Sequence, residues 1–298
     1  MLLLAGYLLL FPPLFVLGPL AGLLLASRPG TAREWAWIAV AGLWLTLSLI
    51  QPGGLAMQAE YAWALIVTAG FVVLMLFGRV SVVPGALGAV VLGLGLVTLW
   101  MGYLGTGWQD LQIAVAHQGW EACRALLAWG QTLAPERQGD LRITVDRLSG
   151  IVAMSADLLP ALLVLKMLPG LAIAWGWYHR LASRPRGAPA ERFAEFRFND
   201  QLVWLVVLGV ALFVLPVPDP VRDITANVIV AVGGLYVARG AAITWGSIAT
   251  FPPFVLVIIG LGVLFILPVA LGGWFAFGLA DTWVDFRRRF RPADQTRE

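Results

Sequence analysis

Four ionisable residues stand out within long apolar runs: Asp157, Lys166, Arg239 and Asp281. A charge in hydrocarbon is costly, so such groups pair, line a cavity or serve a transport path. Asp157 and Lys166 are nine residues apart. On one continuous helix, at about 100° per residue, they face opposite sides and cannot pair within it. Each then needs a partner, a cavity or lipid; Arg239 is one candidate partner for Asp157. Lys166 is flanked by Leu162-Leu163-Val164-Leu165 and Met167-Leu168. A lysine in such surroundings is neutral, or it meets a carboxylate or the acid group of a ligand. Arg239 lies about two turns from a helix end, where snorkelling explains it. Asp281, beside Trp283, reads as an interfacial anchor.

Other chemistry finds no footing. No HExxH, GxSxG, Walker loop or GxGxxG after a strand occurs. Gly93-Leu94-Gly95 sits within an apolar run. Cys123 is the sole cysteine, which excludes an intramolecular disulfide. His117 and His179 fall in different connections, so no metal site is expected. No catalytic residue and no cofactor are expected, and the opposed faces of Asp157 and Lys166 count against an acid–base enzyme.

The elements carrying these residues are membrane helices. Of 298 residues, 60% are hydrophobic and 12% charged, with mean hydropathy +0.84. Soluble domains carry about twice that charged fraction. This excludes a soluble globular enzyme, a disordered chain and a disulfide scaffold. Lys166 is the single lysine among 20 basic residues, a bias that points to GC-rich coding. A net charge of +3, with arginines clustered outside the apolar runs, suits a membrane surface and not nucleic acid.

Eight stretches approach the ~20 residues needed to cross hydrocarbon. They are roughly 1–26, 33–51, 60–78, 82–104, 151–178, 201–216, 224–246 and 252–281. The expected fold is all-α: a polytopic transmembrane bundle of about 7–8 spans. Residues 1–10 lack a basic leader region, so the first segment is expected to stay in the membrane. Pro12-Pro13 and Pro268 predict kinks. The chain divides into a four-helix segment 1–104, a connection 105–150, membrane helices 151–284 and a tail 285–298. Within 105–150, the spacing of Trp108, Leu111, Val115, Trp120, Cys123 and Leu127 predicts an amphipathic helix over 108–133. It lies on the membrane surface or caps the bundle.

Arginine placement sets orientation. Arg28, Arg33 and Arg79 put their loops in the cytoplasm, and so does the basic loop 179–200 with Arg180, Arg184, Arg186, Arg192 and Arg197. The N-terminus then lies outside. Three further crossings would leave Arg287, Arg288 and Arg289 outside as well, against the rule. Either 252–281 is not a single span or an earlier assignment fails.

Small residues recur every four positions at Gly18, Gly22, Ala26, at Gly85, Ala89, Gly93, and at Gly234, Ala238, Ala242, Gly246. Such faces let helices approach closely, within the chain or against a partner.

The run Phe196-Arg197-Phe198-Asn199-Asp200-Gln201-Leu202-Val203-Trp204 precedes one span. The last span ends Leu279-Ala280-Asp281-Thr282-Trp283-Val284-Asp285-Phe286-Arg287-Arg288. Together they resemble the YybS-like family of bacterial inner-membrane proteins, over about 155–290. Arg239 stands where that family has a neutral polar residue such as Gln, and Lys166 is not a family feature. The family is similar in fold to the substrate-binding (S) components of energy-coupling-factor (ECF) transporters and to MreD cell-shape proteins.

The resemblance implies an S-component-like core, multi-pass in the bacterial cytoplasmic (inner) membrane. S components dock their coupling subunit through small residues of the first helix, a role the resemblance offers to Gly18, Gly22 and Ala26. A solute site would draw on Asp157, Lys166, Trp100, Tyr103 and Trp108, with an ATPase on another chain. The alternative is a non-catalytic envelope scaffold in the manner of MreD, bound to another membrane protein. In either case the arginines of 179–200 and Arg287, Arg288 and Arg289 would face the lipid bilayer surface.

Overall fold

The computed structural model describes residues 7, 11–50, 54–78, 80–133 and 138–284. Arg79 and the tail with Arg287, Arg288 and Arg289 lie outside the described residues. The described secondary structure is helical throughout, and the chain divides into two compact units, 1–190 and 191–298.

The first unit holds α1 (Leu14–Ala26), α2 (Ala32–Ile50), α3 (Leu55–Phe77), α4 (Val82–Tyr103), α5 (Trp108–Leu133), α6 (Gln138–Asp157) and α7 (Leu159–Leu181). Pro13 caps the start of α1, where a ring without an N–H is harmless, and the helix of the first apolar run is interrupted at Pro12-Pro13. Pro19 lies inside α1 and leaves the carbonyl of Phe15 without its helical donor. That carbonyl lies against Gly170 of α7, where a Cβ would stand 2.6 Å from it. The helices pack closely at this point because neither carries a side chain between them.

Two of the small-residue stripes face α3. Gly18 and Gly22 lie against Thr68 and Val72, and Gly85 and Gly93 against Met75 and Val67. A face that could have docked a partner is thus met from within the chain at Gly18 and Gly22; Ala26 is half-buried. The core between α1, α3 and α7 is built on Phe15, Leu20, Trp63, Phe71, Met167 and Trp175, all fully buried.

The 151–178 run is not one helix. Pro160, in the first turn of α7, cannot donate to the carbonyl of Ala156, and the chain turns at Leu158. Upstream, α6 begins at Gln138 and pairs with α5 as a helical hairpin. The α5 helix over 108–133 forms with the expected bounds and packs on α6 and α3, burying Leu111 and Cys123.

The second unit holds α8 (Val203–Val214), α9 (Asp219–Ile248), α10 (Pro253–Phe265) and α11 (Leu267–Val284). The α9 and α11 helices cross at Gly240 and Gly278. A Cβ on Gly240 would collide with the carbonyl of Trp274, and one on Gly278 with that of Tyr236. The crossing glycine Gly240 lies outside the stripe from Gly234 to Gly246, of which Gly246 meets Ala194 of the 3-10 turn Phe193–Glu195. Gly209 brings α8 onto Ile229 of α9. No residue of α10 is buried. The long run 252–281 breaks at Ile266, ahead of Pro268, into α10 and α11.

Among the described residues five helices are long and apolar enough to cross a membrane: α3, α4, α7, α9 and α11. This is the pattern of a multi-pass membrane protein. The α1, α8 and α10 helices are apolar but only 13, 12 and 13 residues long, and α2 is not among the five.

Candidate functional site

In the first unit a cavity of about 140 Å³ opens between three helices. Ala56, Ala59 and Glu60 line it from α3; the two alanines leave the space. Leu111, Val115 and Gln118 line it from α5, and Leu159, Leu163 and Lys166 from α7. Lys166 Nζ lies 3.4 Å from Glu60 Oε1, with the two side chains 32% and 25% exposed. Charge-assisted N–H···O bonds close to about 2.7–2.9 Å, so this pair is loose. Among the described residues neither side chain has another hydrogen-bond partner.

The backbone beneath Lys166 is held too. Tyr7 Oη donates to the Lys166 carbonyl at 2.7 Å, beside Pro169, which breaks the local helical ladder. Lys166 therefore projects from an anchored, proline-interrupted turn.

The other expected ligand residues do not join this cavity. Asp157 ends α6, and its carbonyl accepts from Gln112 Nε2 at 3.2 Å. It lines a separate, open groove of about 340 Å³ with Gln109, Ile113 and Ala153. Its place on a different helix from Lys166 corrects the reading of the two as opposed faces of one helix. Trp100 and Tyr103 are exposed near the end of α4. Trp108 donates its indole N–H to Thr98 Oγ1 at 3.1 Å. None of these four lines the Lys166 cavity.

Glu60 escaped the sequence reading because it stands at the first residue of the expected span 60–78, where a charge costs little. In the structure α3 starts five residues earlier, at Leu55. The available signal was that Glu60 is the one charged residue from 55 to 77.

Arg239 is not a snorkelling residue, nor Asp281 an interfacial anchor. Arg239 is 2% exposed and donates through Nε to Asp281 Oδ2 at 2.9 Å. Its Nη2 reaches the Asp281 carbonyl at 3.3 Å, and Nη1 donates to Asp200 Oδ1. The guanidinium carbon stands 5.5 Å from the centre of the Phe198 ring, itself edge-on to Tyr236. The Asp281 side chain is fully buried, whereas that of Asp200 is 59% exposed. The cluster is closed around its own charges and ties α9 to α11.

A third carboxylate organises a polar end of the first unit. Thr31 and Glu34 form a capping box at the start of α2, with the Glu34 N–H donating to Thr31 Oγ1 at 3.3 Å. Glu34 Oε2 accepts the N–H groups of Gly30 and Thr31 at 2.7 and 2.8 Å, and Oε1 accepts that of Ser183 at 2.6 Å. The Ser183 N–H, helped by those of Thr31 and Gly30 and opposed by burial, holds the Glu34 carboxyl down at about 2. Beyond Ser183 the chain folds back over α7. Trp175 Nε1 donates to the Ala188 carbonyl, and the Arg186 N–H donates to Tyr178 Oη. The side chains of Arg180, Arg184 and Arg186 stay exposed, as do Arg192 and Arg197 in the second unit. The Thr31-x-x-Glu34 spacing was the signal for this clamp.

Among the described residues no three His, Cys, Asp or Glu side chains gather as a metal site would require. Comparison with protein-family models, with curated proteins and with solved structures finds no match to this chain.

Proposed function

We propose that this chain binds a small polar solute inside its helical bundle, in the manner of the substrate-binding component of a transporter. The observation that carries the reading is the loose Lys166–Glu60 pair lining a cavity between α3, α5 and α7. Ionisable residues facing a cavity within membrane helices mark solute and ion paths. Proline-interrupted helices commonly form the sites of transporters, and Lys166 stands three residues before Pro169. The resemblance to the YybS-like family, and through it to ECF S components, adds the bacterial cytoplasmic membrane and a partner ATPase to the proposal.

The cavity narrows the solute. Pockets for drug-sized ligands run to about 300–1,000 Å³, and this one is about 140 Å³. A molecule of few non-hydrogen atoms suits it better than a vitamin.

Native mass spectrometry of the protein, extracted gently from its own membrane, tests the reading. A bound small molecule that Lys166→Met removes is the expected result. A ligand-free chain held to another envelope protein would overturn the proposal in favour of an MreD-like scaffold.

A further inference from the structure

The geometry points to a small zwitterion of the amino-acid kind as the solute class of the Lys166–Glu60 cavity; this rests on the solute-binding reading above. The cavity presents one ammonium and one carboxylate from facing helices, α7 and α3. An anion that captured Lys166 would leave Glu60 without its counter-charge inside the bundle. A cation on Glu60 would strand Lys166 in the same way. With a quarter to a third of each side chain exposed, water offsets part of that cost, but a charge left unpaired between helices remains unfavourable. A solute carrying both charges leaves neither group stranded.

Geometry and capacity agree with this. At 3.4 Å the pair is longer than a well-formed charge-assisted bond. An inserted zwitterion exchanges that one long contact for two short ones, its carboxylate on Nζ and its ammonium on Glu60. Lysine has three N–H donors and glutamate two acceptor oxygens, and among the described residues one of each is engaged. Gln118 adds an amide that both donates and accepts. Ala56, Val115 and Leu163 supply apolar wall. The volume, about 140 Å³, is well below that of pockets for drug-sized ligands, which confines the solute to a compact skeleton.

The test uses the full chain in lipid nanodiscs and four labelled solutes of similar size: alanine, propionate, propylamine and propionamide. Alanine is expected to bind at least about tenfold tighter than each of the others. Glu60→Gln and Lys166→Met are each expected to lose at least that factor, and the exchanged pair Glu60→Lys/Lys166→Glu to recover most of it. The exchanged variant keeps both charges, so it separates lost recognition from lost folding; every variant is first checked for a single monodisperse peak. Propionate, propylamine or propionamide binding as tightly as alanine, with loss in Lys166→Met, would overturn the zwitterion class and leave the solute site standing. Alanine binding unchanged in both single variants would overturn the placement at this pair. Failure of all four to bind the wild-type protein would overturn the class and the solute reading together.

Discussion

Arg239 Nε and Asp281 Oδ2 meet at 2.9 Å, and neither side chain has appreciable access to solvent. The two residues lie 42 positions apart, on the two helices that cross at Gly240 and Gly278. The close crossing shields the pair, and the pair fixes the crossing. Breaking a buried pair from one side strands a charge and costs about 3–5 kcal/mol, whereas replacing both partners by apolar groups is often neutral. Arg239→Met and Asp281→Leu are therefore each expected to lower the melting temperature in detergent sharply. The double variant should recover most of the loss, since Asp200 is half in solvent and hydrates when released. A double variant worse than either single one would refute this account.

The crossing itself makes a second prediction. Gly240→Ala and Gly278→Ala each drive a methyl group into a backbone carbonyl. Overpacking costs about 1–3 kcal/mol and more where nothing can yield. A backbone carbonyl yields less than a side chain, so the upper end is expected. Gly42→Ala is the control: a Cβ there meets nothing within 4 Å. It should be neutral or stabilising by up to about 1 kcal/mol through helix propensity. Melting curves of the three variants check the ordering.

How much of this was legible in the sequence depends on what each signal encodes. Helix bounds were visible where an amphipathic spacing marked them, as in the 108–133 helix. Pro160 announces the break at Leu158, but the apolar run continues through it and hides the lost N–H. Contact faces were less readable. These helices are apolar nearly all round, so hydrophobic periodicity does not tell which side meets a neighbour. The glycine repeat selected Gly234 to Gly246, while the crossing uses Gly240. The partners of Arg239 and Lys166 were invisible for a different reason. Asp281, Asp200 and Glu60 lie on other elements, and only the tertiary fold brings them near.

Glu34 predicts a pH dependence. Its carboxyl sits at about 2 when folded, against an ordinary 4.5, chiefly through the Ser183 N–H. A lowered folded value means that the unfolded chain binds the proton first as pH falls. The contribution is complete above about pH 4.5 and is lost progressively towards pH 2. Melting followed by tryptophan fluorescence should be insensitive to this group from pH 7 to 5 and fall below that. Glu34→Ala should cost about 1.5–3 kcal/mol at pH 7, as for hydrogen bonds to a charged group, and flatten the acid limb. An unchanged acid limb in the variant would assign it elsewhere.

Cys123 offers a clean reporter for the α5–α6 hairpin. It is the only cysteine and is buried within α5. A maleimide should label it slowly in the folded protein and fully after denaturation. Gly119→Leu should accelerate labelling by prising the hairpin apart, because a Cβ at Gly119 already crowds Val152 of α6 at 2.9 Å. Equal labelling rates in variant and wild type would show that the hairpin does not protect the thiol.

The short α10 helix has a consequence for the bilayer. Thirteen apolar residues with none buried rise about 20 Å, against a hydrocarbon core of about 30 Å. Were it to cross alone, neighbouring acyl chains would have to compress towards it or the helix shift towards one leaflet, and either response carries an elastic cost that grows with lipid length. Such a crossing would make the second unit a gauge of membrane thickness, more at ease among fourteen-carbon than among twenty-two-carbon chains.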